Sequence, residues 1–180
     1  MEHAPPDVKV FLVGFMGTGK TTLGRLLADR LGWEFVDVDD VIEQAEGASI
    51  VRIFVEKGES YFREIERGVL AGVLARSGHA VIACGGGTFC IPENQALMER
   101  SGITVWLDRP FDRIWQRREE LASARPLLRS EAEVRALYER RLAFYQQAAL
   151  HVPVAEQSLP SALEYLLRLL RERFCIQSTS

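Results

Sequence analysis

The chain is predicted to fold as an α/β domain of three layers, with a central five-stranded parallel sheet flanked by helices. Short apolar runs of β type alternate with longer segments of helical period along the whole length. The first such run, Val8-Lys9-Val10-Phe11-Leu12-Val13, passes directly into Gly14-Phe15-Met16-Gly17-Thr18-Gly19-Lys20-Thr21-Thr22 and then into a helical pattern. Strand, crossover helix, strand begins a parallel sheet, and such sheets collect ligands at the carboxyl ends of their strands. A length of 180 residues suits one domain with a sizeable core.

The first turn satisfies GxxxxGK[ST], the pattern of a phosphate-binding loop. To wrap a triphosphate, successive backbone N–H groups must approach anionic oxygens. A Cβ at Gly14, Gly17 or Gly19 would block that approach or the dihedrals it needs. Lys20 supplies a mobile charge for the β and γ phosphates, Thr21 a hydroxyl ligand for one Mg²⁺ ion, and the following helix its positive end.

Composition narrows the class. Hydrophobic residues make up 47% and charged residues 26%, both ordinary for a globular chain. No apolar run approaches the roughly 18 residues that span a bilayer. Residues 1–7 lack the basic-then-apolar order of a signal peptide and read as a short loose tail. Cys84, Cys90 and Cys175 form no CxxC pair, which argues against a disulfide framework and for a reducing, cytoplasmic setting. A net charge of −3 provides no footprint for nucleic acid.

After the loop, Leu23, Leu26, Leu27 and Leu31 recur at helical spacing until Gly32, so residues 19–31 form a helix. Trp33–Asp39 reads as a second strand ending in carboxylates, followed by a helix through Ile42 to Gly47. Ser49 caps a helix that stops at Gly58, and a longer one runs over 59–75 with Phe62, Ile65, Val69 and Leu74 on one stripe. Spacing alone makes Arg63 a solvated arginine or one paired with Glu59 or Glu66. His79–Cys84 is the third strand. Gly85-Gly86-Gly87 after it implies a plain tight turn or close backbone approach to a ligand. Pro92 opens a helix that Gly102 ends, and Ile103–Leu107 is the fourth strand.

Asp108 then reads either as a magnesium-ordering carboxylate or, with Pro110 following, as the cap of the next helix over about 111–120. The stretch 121–130, which holds Arg125-Pro126, is an ordinary loop or a lid over a nucleotide. Arg140 and Arg141 lie in a helix over 131–149, solvated by default. Leu150–Val154 is an edge strand, because Pro153 lacks a donor. Ser158 and Pro160 start the last helix. His3, His79 and His151 form no catalytic constellation.

Taken together, GFMGTGKTT, Asp37-Val38-Asp39, Gly58-Glu59 with Phe62-Arg63-Glu64-Ile65-Glu66, the Gly85–Gly87 turn, and Arg125-Pro126-Leu127-Leu128 followed by Arg140-Arg141-Leu142 and Tyr145 resemble the shikimate kinases in family order. The similarity runs from about Val8 to Leu170. It implies a P-loop kinase fold with a substrate-binding region over about 39–76 and a lid over about 121–132. The activity it implies is transfer of the ATP γ-phosphate to the 3-hydroxyl of shikimate by a cytoplasmic monomer that engages neither nucleic acid nor membrane.

By position, the resemblance places Asp39 at the substrate hydroxyl as a catalytic residue. Arg63, Arg141 and the Gly86 N–H hold the substrate carboxylate, which overrides the solvated default for both arginines. Asp37 organises the Mg²⁺ shell through water. Gly17, Thr18, Gly19, Lys20, Thr21 and Thr22 hold the nucleotide phosphates, Arg125 closes on them from the lid, and Arg117 lies near adenine. Lys20 and Arg125 are the catalytic cations. The chain departs from the family at Glu156-Gln157-Ser158-Leu159, where members carry a polar adenine loop often containing Arg or Asn. Gluconate and nucleoside monophosphate kinases share the loop and lid but not the set Asp39, Arg63, Gly86 and Arg141. A GTPase switch would need NKxD, and Asn94, the only asparagine, is followed by Gln95.

Overall fold

A computed structural model of the chain describes residues 7–116, 130–154 and 158–177. Arg117, Arg125 and positions 121–129 of the expected lid lie outside the described residues, as do Glu156 and Gln157.

Five strands, β1 (Lys9–Val13), β2 (Glu34–Asp37), β3 (Ala80–Ala83), β4 (Gly102–Asp108) and β5 (Leu150–Pro153), form one sheet in the order β2-β3-β1-β4-β5. Every pairing is parallel, with Leu12 beside Ala83 on one side and Val105 on the other. Because β1 is central and covered on both faces, all five of its residues are buried, and the strand reads as a continuous apolar run interrupted only by Lys9. That lysine directs its Nζ to the carbonyls of Arg76 and Gly78, so its charge is solvated by backbone oxygen.

Side-chain alternation divides the core in two. Val10, Leu12, Val81, Val105 and Leu107 pack against α1 (Lys20–Leu31) and the last helix, α7 (Leu159–Phe174). Phe11, Val13, Ile82 and Trp106 face the other way. There they meet α2 (Val38–Glu46), α3 (Ile50–Leu74), α4 (Pro92–Ser101), α5 (Phe111–Gln116) and α6 (Glu131–Tyr145). The expected three layers are present. Pro153 sits on the edge strand, paired only with Asp108 of β4.

Local signals account for most helix ends. Gly32 and Gly47 take left-handed dihedrals after α1 and α2, and Ser49, Ser130 and Ser158 accept the capping N–H bonds of α3, α6 and α7. The break at Gly58 is a kink with φ 83° and ψ 171° inside α3, where the sequence had two helices. One boundary matters for function: β2 ends at Asp37, so Asp39 belongs to the first turn of α2 and not to a strand. Asp37 caps that helix, its Oδ1 accepting from the Asp39 N–H at 3.1 Å.

Candidate active site

The phosphate loop spans the carboxyl end of β1 and the start of α1. Gly14, Gly17 and Gly19 have φ values of 137°, 73° and 96°, a region that residues with a Cβ avoid, so here glycine is required by the dihedrals. A Cβ on Gly14 would also lie 2.8 Å from the Leu107 carbonyl oxygen. Thr18 is buried and its hydroxyl donates to the Phe15 carbonyl at 3.0 Å. Its side chain therefore ties the loop together. Lys20 donates to the carbonyls of Gly14 and Phe15 at 2.9 and 2.8 Å, which holds the ammonium across the loop.

The oxygens expected to serve a metal ion lie side by side. The Thr21 hydroxyl donates to Asp37 Oδ2 at 2.7 Å. Magnesium takes six oxygens, keeps several waters and uses one or two carboxylates together with substrate phosphates, and this hydroxyl–carboxylate pair fits that demand. Among the described residues no group of three or more His, Cys, Asp or Glu side chains is placed to hold an ion.

Beside the loop lies a cavity of about 530 Å³, lined in part by Met16, Thr21, Asp37, Asp39, Arg63, Gly85–Gly87 and Arg141. Its apolar wall is formed by Ile50, Val51, Phe54 and Phe62 of α3 and Val134 and Leu137 of α6. The three glycines explain how groups so distant in sequence meet. None has positive φ, so their role is space and not conformation. A Cβ on Gly85 would stand 2.9 Å from Asp39 Oδ1, one on Gly86 3.4 Å from an Arg141 nitrogen, and one on Gly87 2.6 Å from Arg63 and 3.1 Å from Arg141. The turn after β3 is thus the point at which one carboxylate and two guanidinium groups converge.

Arg63 is paired as its spacing in the helix allows, and it is also placed at the cavity. It pairs within α3 with Glu66 at 2.7 Å and Glu59 at 3.3 Å, and it also lines the cavity. Burial alone would lower its pKa, but charge and hydrogen bonding from Glu66, then Glu59, outweigh that and raise it. Glu66 is fully buried; it also accepts from the Thr88 hydroxyl. In the sequence Glu66 stands as a helix neighbour of Arg63 and as the end of one family pattern, with no role of its own. The i, i+3 spacing carried the pairing, but nothing local indicated its burial.

Other expectations resolve differently. Asp108 lies outside the cavity lining; its Oδ2 meets His151 Nε2 at 2.9 Å, and that ring stacks on Trp106 at 4.5 Å. His79 accepts from the Val8 N–H and stacks on Trp33, so His79 and His151 both serve packing. Arg140 lines the cavity rim and is exposed, while Arg141 is half-buried. Asp40, a cavity residue unremarked in the sequence, has its pKa raised by burial and by the charge of Asp37.

A glycine-loop nucleotide site opening beside a cavity with one apolar wall and one charged one, on an all-parallel sheet, defines a P-loop kinase that acts on a small molecule. The sequence model of the shikimate kinase family matches residues 16–171. Shikimate kinases from Persephonella marina and Nostoc punctiforme are 41% and 43% identical over 83% and 85% of this chain, covering 90% and 84% of their own lengths. The structure of Acinetobacter baumannii shikimate kinase in complex with shikimate superposes with a TM-score of 0.85 at 35% identity, covering 93% of this chain and 96% of that one. This chain belongs to the shikimate kinase family. A TM-score of 0.60 at 17% identity to the Mycobacterium tuberculosis APS kinase reflects the shared fold alone.

Proposed function

We propose that this chain transfers the γ-phosphoryl group of ATP to the 3-hydroxyl of shikimate, giving shikimate 3-phosphate and ADP. The observation that carries the reading is the meeting of Asp39, Arg63 and Arg141 around Gly85–Gly87, in the cavity that Thr21 and Asp37 also line. A hydroxy acid needs one anchor for its carboxylate and one group to aim its alcohol. Two guanidinium forks suit a planar carboxylate, with the Gly86 N–H as a further donor. Asp39 orients the alcohol and accepts its proton as the phosphorus–oxygen bond forms.

Phosphoryl transfer asks for alignment and for positive charge around the equatorial oxygens. Residues Gly17–Thr22 cradle the phosphates, and Lys20 leaves its loop carbonyls to meet the β and γ oxygens. Thr21 would hold Mg²⁺ directly and Asp37 through water; the ion, when bound, neutralises charge shared by those oxygens. Arg125, on a lid over about 121–132, supplies a further cation, and Arg117 packs near adenine. Closure would exclude water as a competing acceptor. We take the whole chain as one kinase domain, with its substrate region at about 39–76, acting as a cytoplasmic monomer.

Coupled ADP-release assays with shikimate, gluconate and a nucleoside monophosphate test the acceptor. Turnover with shikimate alone is expected. Turnover of gluconate or the nucleotide without shikimate would overturn the assignment, and ATP binding without turnover of any acceptor would make the chain a non-catalytic nucleotide-binding member.

A further inference from the structure

Tyr145, the last residue of α6, sits behind the turn at which the proposed carboxylate ligands meet. It is 1% exposed, with its ring stacked on Trp106 at a centroid distance of 6.4 Å. Its hydroxyl donates to the Gly86 carbonyl oxygen. Burial raises its pKa, so it stays a neutral donor at any working pH.

The consequence follows from peptide geometry. A carbonyl and the N–H of the next residue point in opposite directions across a planar trans unit. With the Gly86 carbonyl held toward Tyr145, the Gly87 N–H is turned away from it. The Thr88 N–H closes the turn onto the Gly85 carbonyl at 3.1 Å, which leaves the central Gly86–Gly87 peptide without a side chain of its own to fix its rotation. Arg141 reaches the same turn from α6, where a Cβ on Gly86 or Gly87 would stand 3.4 or 3.1 Å from its guanidinium nitrogens.

We propose that Tyr145 is a positioning residue for the acid end of the substrate, its hydroxyl setting the Gly86–Gly87 peptide, and with it the Gly87 N–H, beside Arg141. It touches no substrate. The inference rests on the reading that the Gly85–Gly87 turn and Arg141 bind a carboxylate.

Tyr145→Phe keeps the ring against Trp106 and removes only the hydroxyl. NMR titration of the wild type and the variant with shikimate and with its methyl ester separates positioning from folding, because both ligands report on the same protein sample. The variant is expected to bind shikimate about 10-fold more weakly, the scale of one buried hydrogen bond, while ester binding stays within about twofold. With ATP, KM for shikimate should rise by the same factor and kcat should hold. An equal loss for acid and ester, or no loss for either, would overturn the role. Wild-type protein that fails to bind shikimate would instead sink the functional reading on which it rests.

Discussion

Glu66→Gln changes a charge and almost nothing else, which makes it a sensitive probe of the acceptor site. The carboxylate is fully buried, holds Arg63 at 2.7 Å and accepts from Thr88. Removing one member of a fully buried ion pair costs about 3–5 kcal/mol, because the other charge is left without compensation. Arg63 is 23% exposed and keeps its contact with Glu59, so water and the second carboxylate offset part of that loss. A cost of about 2 kcal/mol is expected, which for a chain of this size lowers Tm by about 4–8 °C. Arg63 would also lose its fixed orientation toward Gly87, so KM for shikimate should rise about 10-fold while KM for ATP holds. Denaturant unfolding and steady-state kinetics read both effects. Near-unchanged stability together with an unchanged shikimate KM would refute the view that Glu66 compensates and aims Arg63.

Asp39→Asn is expected to leave ATP binding largely intact and lower turnover by orders of magnitude, checked by nucleotide titration beside the coupled assay; near-normal turnover would remove Asp39 from its role. Arg141→Ala should chiefly raise the shikimate KM, by about 2–4 kcal/mol in binding terms. Gly87→Ala keeps an allowed backbone at φ −104° but pushes on both arginines, so shikimate KM should rise with little change in Tm. In contrast, Gly68 and Gly72 lie within α3 with open space around them, and Gly68→Ala or Gly72→Ala should each stabilise by about 1 kcal/mol in denaturant unfolding. Limited alkylation should label exposed Cys175 well before Cys84, whose thiol burial makes it inaccessible and hard to ionise; equal labelling followed by mass spectrometry would count against that burial.

The phosphate loop, the alternation of strand and helix, and most caps were determined by the sequence itself, since each is a relation among residues within a few positions. A glycine at positive φ, a serine before a helix or an apolar run between turns acts through local dihedrals and periodicity. Membership of the family was also legible, because several such local patterns recur in one order. The tertiary structure decided what could not be local: the strand order, the placement of Asp39 on a helix, the diversion of Asp108 to His151, and the assembly of Asp39, Arg63 and Arg141 about one turn. The physical reason is burial. Glu66 and Tyr145 appear in sequence as an ordinary helix charge and an ordinary core aromatic; only the packing of α3 and α6 against the end of β3 removes them from water, and there a single carboxylate or hydroxyl must satisfy its neighbours or leave them unpaired.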